Sequence, residues 1–204
     1  MRLLPARVLP ASALLVLLCA FRCSRGPDCA PDAGHTFRSE AAWEPGVARY
    51  RTGDTLWFRA ALPNVLRDTR TGQDVPYYRG ITQTLLLYRL DSVQGAHLPA
   101  AADFRFVPVA GALADPSGAD RQGFRYAGDS AGYALRIGLV ALRPGLYAVL
   151  AQNAAGGRGG TPCDVVLFES RVVNADRFLT MYRTAMGAAA QPDPGEQLFC
   201  FRVE

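Results

Sequence analysis

From Thr36 onward the chain is a succession of short apolar or alternating runs, each closed by Gly, Pro, Asp or Asn. Side chains alternate between the two faces of an extended strand, so runs of this kind build strands rather than helices. Residues 55–62 place Leu56, Phe58, Ala60 and Leu62 on one face. Residues 81–90 alternate Ile81, Gln83, Leu85 and Leu87 with Thr82, Thr84, Leu86 and Tyr88, and their near-continuous hydrophobicity predicts a central strand buried on both faces. Residues 104–109 read as a third strand, with Pro108 placing it at an edge or a bulge. Residues 123–127, 133–142, 164–173 and 197–203 follow the same pattern. Arg143-Pro144-Gly145 reads as a tight turn leading into residues 146–152, which predicts a hairpin.

One helix is expected. Asn174 is a suitable N-cap, Asp176 sits in the first turn, Phe178, Leu179, Tyr182 and Met186 recur at helical spacing, and Gly187 is the stop. Strands in succession without intervening helices exclude a parallel α/β sheet. The expected fold is all-β: an antiparallel β-sandwich, immunoglobulin-like or jelly-roll-like, of about seven to nine strands with one short helix in the C-terminal half. A closed barrel is the competing architecture. No internal repeat is visible.

The N-terminus is of another character. Arg2 and Arg7 precede an apolar run over residues 11–21, interrupted only by Ser12. Eleven helical residues span about 16 Å, roughly half of a bilayer's hydrocarbon core, which suits a signal peptide and not a permanent membrane span. Residues 1–23 are therefore expected to be a signal peptide, 24–35 a polar tether and 36–204 one domain. Lipidation of Cys23 fits the tether that follows it; Cys19 is the alternative anchor, and cleavage after Ala20 a third route. All 22 basic residues are Arg, and without the three in the signal 19 remain against 18 acidic. A near-neutral domain excludes a polyanion binder, and arginines that alternate with acids, as in Arg67-Asp68-Thr69-Arg70, read as a solvated surface. Nucleic acid is not an expected partner, and contact with a membrane would run only through the lipid.

An exported chain meets an oxidising compartment. Cys163 and Cys200 remain under every processing scheme, and a bridge between them would remove roughly 4 kcal/mol of unfolded-state entropy. No C-x-x-C pair supports zinc or thioredoxin-like chemistry.

Residues 128–132, Gly-Asp-Ser-Ala-Gly, match G-x-S-x-G. In an α/β-hydrolase that serine precedes a helix, with Asp and then His later in the chain. Here a strand follows, and His35 and His97 both precede Ser130. The pentapeptide also resembles the nucleophile motif of chymotrypsin-like proteases, but neither histidine has that family's Ala-Ala-His-Cys setting, and Ala131 replaces a glycine. A turn between two strands explains these residues without catalysis. Asp115 and Asp120 lack the ligand alternation of a calcium loop, and no glycine-rich phosphate loop links a strand to a helix. No catalytic, cofactor or metal residue is expected. Trp43, Trp57, Tyr77, Tyr78 and Tyr126 could line a sugar-binding face; Trp57 is expected in the core, and Tyr77-Tyr78 is the exposed-looking pair that could form a recognition patch.

Residues 50–59 (Tyr-Arg-Thr-Gly-Asp-Thr-Leu-Trp-Phe-Arg), 66–73 (Leu-Arg-Asp-Thr-Arg-Thr-Gly-Gln) and 199–204 (Phe-Cys-Phe-Arg-Val-Glu) together resemble uncharacterised exported β-sandwich and lipoprotein-type envelope proteins of Bacteroidota. The resemblance implies a cell-envelope location and transfers no functional site. The expectation is an exported envelope module of structural or binding role, without catalytic activity, whose partner is an envelope or extracellular protein or glycan. The alternatives are a carbohydrate-binding module using loop aromatics and a serine hydrolase at Ser130.

Overall fold

The computed structural model describes residues 34–156, 166–175, 178–188, 190 and 197–204. The signal and most of the tether, with Cys19, Cys23, Cys29 and Cys163, lie outside the described residues. In chain order the strands are β1 (His35–Glu44), β2 (Arg49–Tyr50), β3 (Thr55–Pro63), β4 (Val65–Arg67), β5 (Asp74–Pro76), β6 (Ile81–Asp91), β7 (Ala96–Pro99), β8 (Phe104–Ala110), β9 (Ala112–Ser117), β10 (Arg121–Arg125), β11 (Ala127–Gly128), β12 (Gly132–Ala141), β13 (Gly145–Ala151), β14 (Ala154–Gly156), β15 (Val166–Val172) and β16 (Gln197–Val203). A 3-10 turn, Ala101–Asp103, precedes β8, and the helix α1 (Leu179–Met186) precedes β16.

The strands form two layers. The first runs from β12 through β3 and β1 to β15, with β8 and β11 on the free edge of β12. The second runs from β9 and β10 through β6 and β13 to β16 and β2, with β7 beside β10 on β6. The short strand β14 pairs with β15 on one side and β6 on the other, and so joins the layers. The inner faces meet in one core. Phe37 and Trp43 of β1, Phe58 of β3, Ile137 of β12 and Phe168 of β15 face Leu85 and Leu87 of β6, Tyr147 and Val149 of β13, and Phe199 and Phe201 of β16. Trp43 stacks on Phe199 from the opposite layer at 5.6 Å and 25°. Each such side chain contributes about 1.5–3 kcal/mol through burial, which is why both layers close on it.

Leu86, Ala148, Leu150, Leu198 and Cys200 point outward from the second layer, and α1 covers them with Tyr182 and Ala185. This explains the near-continuous apolar text of β6: one face is in the core and the other lies under the helix. Pro108 sits where the β8–β12 register shifts, on a strand whose ladder runs to β12 alone, so its missing N–H costs no bond.

Several expectations are corrected. The sandwich is mixed, because β15 runs parallel to β1 (His35 opposite Val166) and β2 runs parallel to β16. Both pairs join segments distant in sequence, where no tight turn imposes antiparallel direction. There are more strands than expected, because β2, β4, β5, β7, β11 and β14 have only two to four residues and are too short to show a period. Residues 142–144 do not close a hairpin: β12 pairs with β3 and β8 in the first layer, whereas β13 pairs with β6 and β16 in the second, so Arg143-Pro144 is a crossover between layers. His35, placed in the tether, opens β1.

Asn174 is not the cap of α1, which starts after Phe178 without a side-chain cap. Instead its Oδ1 accepts from the Trp43 amide at 2.9 Å and its Nδ2 donates to the Trp43 carbonyl at 2.7 Å, extending the β1–β15 ladder by one side-chain rung. Gly187 ends the helix with φ +103, as expected. Trp57 is half-buried on the outer face of β3, with the Arg136 guanidinium 5.0 Å above its ring; the core tryptophan is Trp43.

Candidate functional site

The aromatic pair at the end of the first long connection is split by the fold. Successive residues of an extended backbone point to opposite sides. Tyr77 is 5 % exposed and packs edge-on against Phe37 at 6.1 Å and Phe168 at 5.4 Å, while Tyr78 is 75 % exposed. Tyr77 is therefore not part of an exposed patch; it anchors the loop that presents Tyr78. Its amide donates to the Asn64 carbonyl at 2.8 Å, and its own carbonyl accepts from the Tyr133 hydroxyl at 2.9 Å. Gly156 of β14 faces it, and any Cβ there would collide with the Tyr77 hydroxyl.

Beside this loop lies a concavity of about 400 Å³ lined by Asn64, Tyr78, Arg79, Tyr126, Asp129 and Tyr133. Tyr126 is 6 % exposed, and its buried hydroxyl has no hydrogen-bond partner among the described residues. Burial pushes the Tyr126 phenol well above its ordinary range, so the group stays protonated and able to donate. Tyr133 is shifted upward for the same reason, with the nearby Tyr78 adding to it. Through Gly128, Asp129 and Tyr133 the concavity continues into a shallow depression of about 590 Å³ on the first layer, floored by Ala61, Ala110 and Ala134.

The 128–132 segment between these two hollows is a hairpin turn joining β11 to β12. Asp129 Oδ1 accepts from the amides of Ala131 at 2.7 Å and Gly132 at 3.1 Å, and Asn64 Nδ2 donates to the carbonyls of Asp129 and Ser130 at 3.0 and 2.8 Å. The Ser130 region is thus a turn rim held by side-chain-to-backbone bonds. The histidines are engaged elsewhere: His35 Nδ1 lies 2.9 Å from Asp68 Oδ2, and His97 Nε2 lies 3.1 Å from the Tyr182 hydroxyl. Asp120 is held by Arg121 through contacts of 2.9 and 3.0 Å, and that ion pair keeps its carboxyl below the usual range. Among the described residues no group of three or more His, Cys, Asp or Glu is placed to hold a metal ion. Cys200 is buried under α1, and burial pushes its thiol up to about 12.

Of the aromatics weighed from sequence, Tyr78 and Tyr126 line the concavity, Tyr77 supports it, and Trp43 and Trp57 lie elsewhere. Arg79, Asn64 and Tyr133 were missed. Only the neighbourhood of Tyr78 signalled Arg79; nothing local signalled the other two, which arrive from β3–β4 and β12.

The molecule is thus a two-layered β-sandwich with a tyrosine-rich hollow at one end. No family model matches the chain, and no curated protein matches it. Two solved structures are similar at low levels. A chain of a type II cohesin–X-dockerin complex from Acetivibrio cellulolyticus, an N-terminal interface mutant, shares 8 % identity at a TM-score of 0.34, covering 65 % of this chain and 95 % of that one. The second type II cohesin module of the adaptor ScaA scaffoldin from the same organism shares 9 % identity at a TM-score of 0.37, covering 72 % and 98 %. No helix among the described residues is long and apolar enough to cross a membrane.

Proposed function

We propose that this chain is an exported, envelope-associated module that binds rather than catalyses, and that it binds at the Tyr78 end of the sandwich. One observation carries the reading: a loop pinned by the buried Tyr77 holds the exposed Tyr78 over a hollow of about 400 Å³. A preformed concavity on a loop whose backbone is already held loses little backbone entropy when a ligand arrives. The engagement of Ser130's turn in backbone bonds, with both histidines bonded elsewhere, supports a turn in place of a nucleophile. Export rests on the signal-like residues 1–23 and on the resemblance to Bacteroidota envelope proteins. Two further expectations go with export: a lipid on Cys23, or alternatively Cys19, and, in an oxidising compartment, a bridge to Cys163 from Cys200, which is a free buried thiol in this structure.

The binding test uses polysaccharide and protein fractions of the producing cells' envelope, immobilised separately. The wild-type chain is retained on one of them and Tyr78→Ala is not. Equal retention of the two proteins on both fractions would remove the site from this end. A fluorophosphonate probe is expected to leave the folded protein unlabelled; labelling lost in Ser130→Ala would establish the hydrolase instead. Intact mass of the membrane-extracted protein reads the mature N-terminus, any acyl group and, after reduction, the bridge.

A further inference from the structure

Helix α1 covers the outer face of the second layer, whereas the outer side chains of β1, β3 and β12 in the first layer are half-buried or exposed. Trp57 of β3 and Gly138 of β12 are ladder partners on that face. A Cβ on Gly138 would stand 3.0 Å from Trp57 Cζ3 and 2.7 Å from Thr55 Cγ2. A glycine inside a strand weakens it and marks a close approach. Here it makes room for the indole to rest on the β12 backbone, and the indole in turn carries the Arg136 guanidinium 5.0 Å above its ring. Arg136 stands directly opposite Arg59 on the same ladder. Like charges in opposite positions destabilise a sheet, because their side chains start only about 5 Å apart. Glu44 answers one of them, 3.5 Å from Arg59 Nε, while Arg136 meets no carboxylate among the described residues. Both arginines stand at the wall of an open depression of about 600 Å³, floored by Ala42, Ala61, Ala110 and Ala134.

We propose that this face binds the carboxylate of a small organic acid, held between Arg59 and Arg136 with its apolar part on the alanine floor. The site does not depend on the reading of the Tyr78 end. Three features select the ligand. Guanidinium groups present planar arrays of N–H donors, which match the two oxygens of a carboxylate, and an anion between them removes their repulsion. The surplus charge is single: Glu44 offsets Arg59, and Glu40 on the far wall has Arg171 of β15 as its ladder partner. One uncompensated guanidinium suits a monoanion better than a phosphate dianion. The floor is made of methyl groups, so the rest of the ligand is aliphatic or aromatic rather than hydroxylated. Trp57 and Gly138 thus act as positioning residues, fixing Arg136 at the wall instead of leaving it to sweep through solvent.

The experiment is a nuclear magnetic resonance titration of the full chain at low ionic strength, since salt screens exposed charges. The probes are acetate, butanoate and benzoate, with butanamide and benzamide as uncharged counterparts and inorganic phosphate as the dianion. Butanoate and benzoate are expected to shift the Trp57 indole N–H and the Arg59 and Arg136 Nε–H resonances saturably. Acetate, which leaves the floor uncovered, binds more weakly, and the amides leave the resonances in place. Arg136→Gln weakens binding about tenfold or more, the size of one hydrogen bond to a charged group. Glu44→Gln strengthens it by up to about fivefold, because a competing exposed ion pair is gone. Thermal unfolding separates site from scaffold: Arg59→Gln keeps or raises Tm, because it relieves the like-charge pair, while binding falls. Absence of a saturable shift with every carboxylate, or a shift that Arg136→Gln leaves intact, overturns the site. Tighter binding of phosphate than of benzoate overturns the monocarboxylate assignment, and unchanged affinity in Arg59→Gln overturns the two-arginine clamp.

Discussion

The hydroxyl of Tyr147 lies 3.1 Å from Asp103 Oδ2, and it also lies 3.1 Å from the Arg143 carbonyl of the crossover between layers. Asp103 in turn meets Arg143 at 3.3 Å and Arg89 at 3.5 Å, and its backbone carbonyl accepts from Leu142 at 2.9 Å. Asp103 therefore holds the segment where the chain leaves the first layer for the second at both ends, Leu142 through its carbonyl and Arg143 and Tyr147 through its carboxylate.

Tyr147→Phe is expected to cost about 1 kcal/mol, one net hydrogen bond. Asp103→Ala is expected to cost about 2–3 kcal/mol, because it leaves the Tyr147 hydroxyl buried without its carboxylate partner. The loss stays below that of a fully buried ion pair, since the Arg89 and Arg143 side chains are 40 % and 65 % exposed and can turn to water. Urea unfolding of the two variants and their double mutant checks the coupling. A double mutant equal to the sum of the singles would dissolve the proposed unit.

Asn174→Asp separates two roles. A helix cap tolerates aspartate as well as asparagine. A rung that donates to the Trp43 carbonyl does not, because the carboxylate has no donor and would face that carbonyl with its charge. A loss of about 1–3 kcal/mol in chemical denaturation is expected, and an unchanged midpoint would restore the cap.

Gly132→Ala should destabilise by about 1–3 kcal/mol. Gly132 has φ +149, and a Cβ there would collide with the Leu62 carbonyl, which precedes Pro63, its partner across the β12–β3 ladder. The turn carrying Ser130 would be displaced with it. Thermal unfolding alongside Ala131→Gly, which adds no atoms, isolates the steric effect.

Stability should fall at both ends of the pH range. The hydrogen bond from His35, then that from the Arg70 amide, holds the Asp68 carboxyl well below its usual range. Its contribution is complete above about pH 4 and is lost as acid protonates the folded state. Asp68→Asn should therefore lower Tm at neutral pH and flatten its dependence below pH 4. On the alkaline side, burial pushes Tyr50 and Tyr147 up to about 12. Their contribution is complete below pH 10 and disappears between pH 10 and about 12, where the unfolded chain ionises first. Phenolate absorbance rising together with loss of β-sheet circular dichroism checks this; full ionisation at pH 11 with the sheet intact would contradict it.

The strands with clear alternation were legible from sequence because the signal is local. Leu56, Phe58, Ala60 and Leu62 share a face in any extended strand, and all four are buried here. The same holds for Pro108, whose missing donor confines it to an edge or a bulge wherever the strand is placed. The site was half legible. Tyr78 could be named as an exposed aromatic, but its neighbour Tyr77 has the same chemistry and only the tertiary packing of Phe37, Phe168 and Tyr133 distinguishes them.

What residue order determined by itself is the two-residue periodicity, the turns that interrupt it and the helical stripe of Phe178, Leu179, Tyr182 and Met186, since each depends on steric and hydrophobic preferences between near neighbours. Which strands lie side by side is instead set by the packing of the whole domain. The parallel pairing of β1 with β15, the passage of Arg143-Pro144 between layers and the meeting of Asn64, Tyr78, Tyr126 and Tyr133 in one hollow all join residues far apart in the chain. Such contacts are selected by the burial of the whole core, a property of all the strands together that no single stretch encodes.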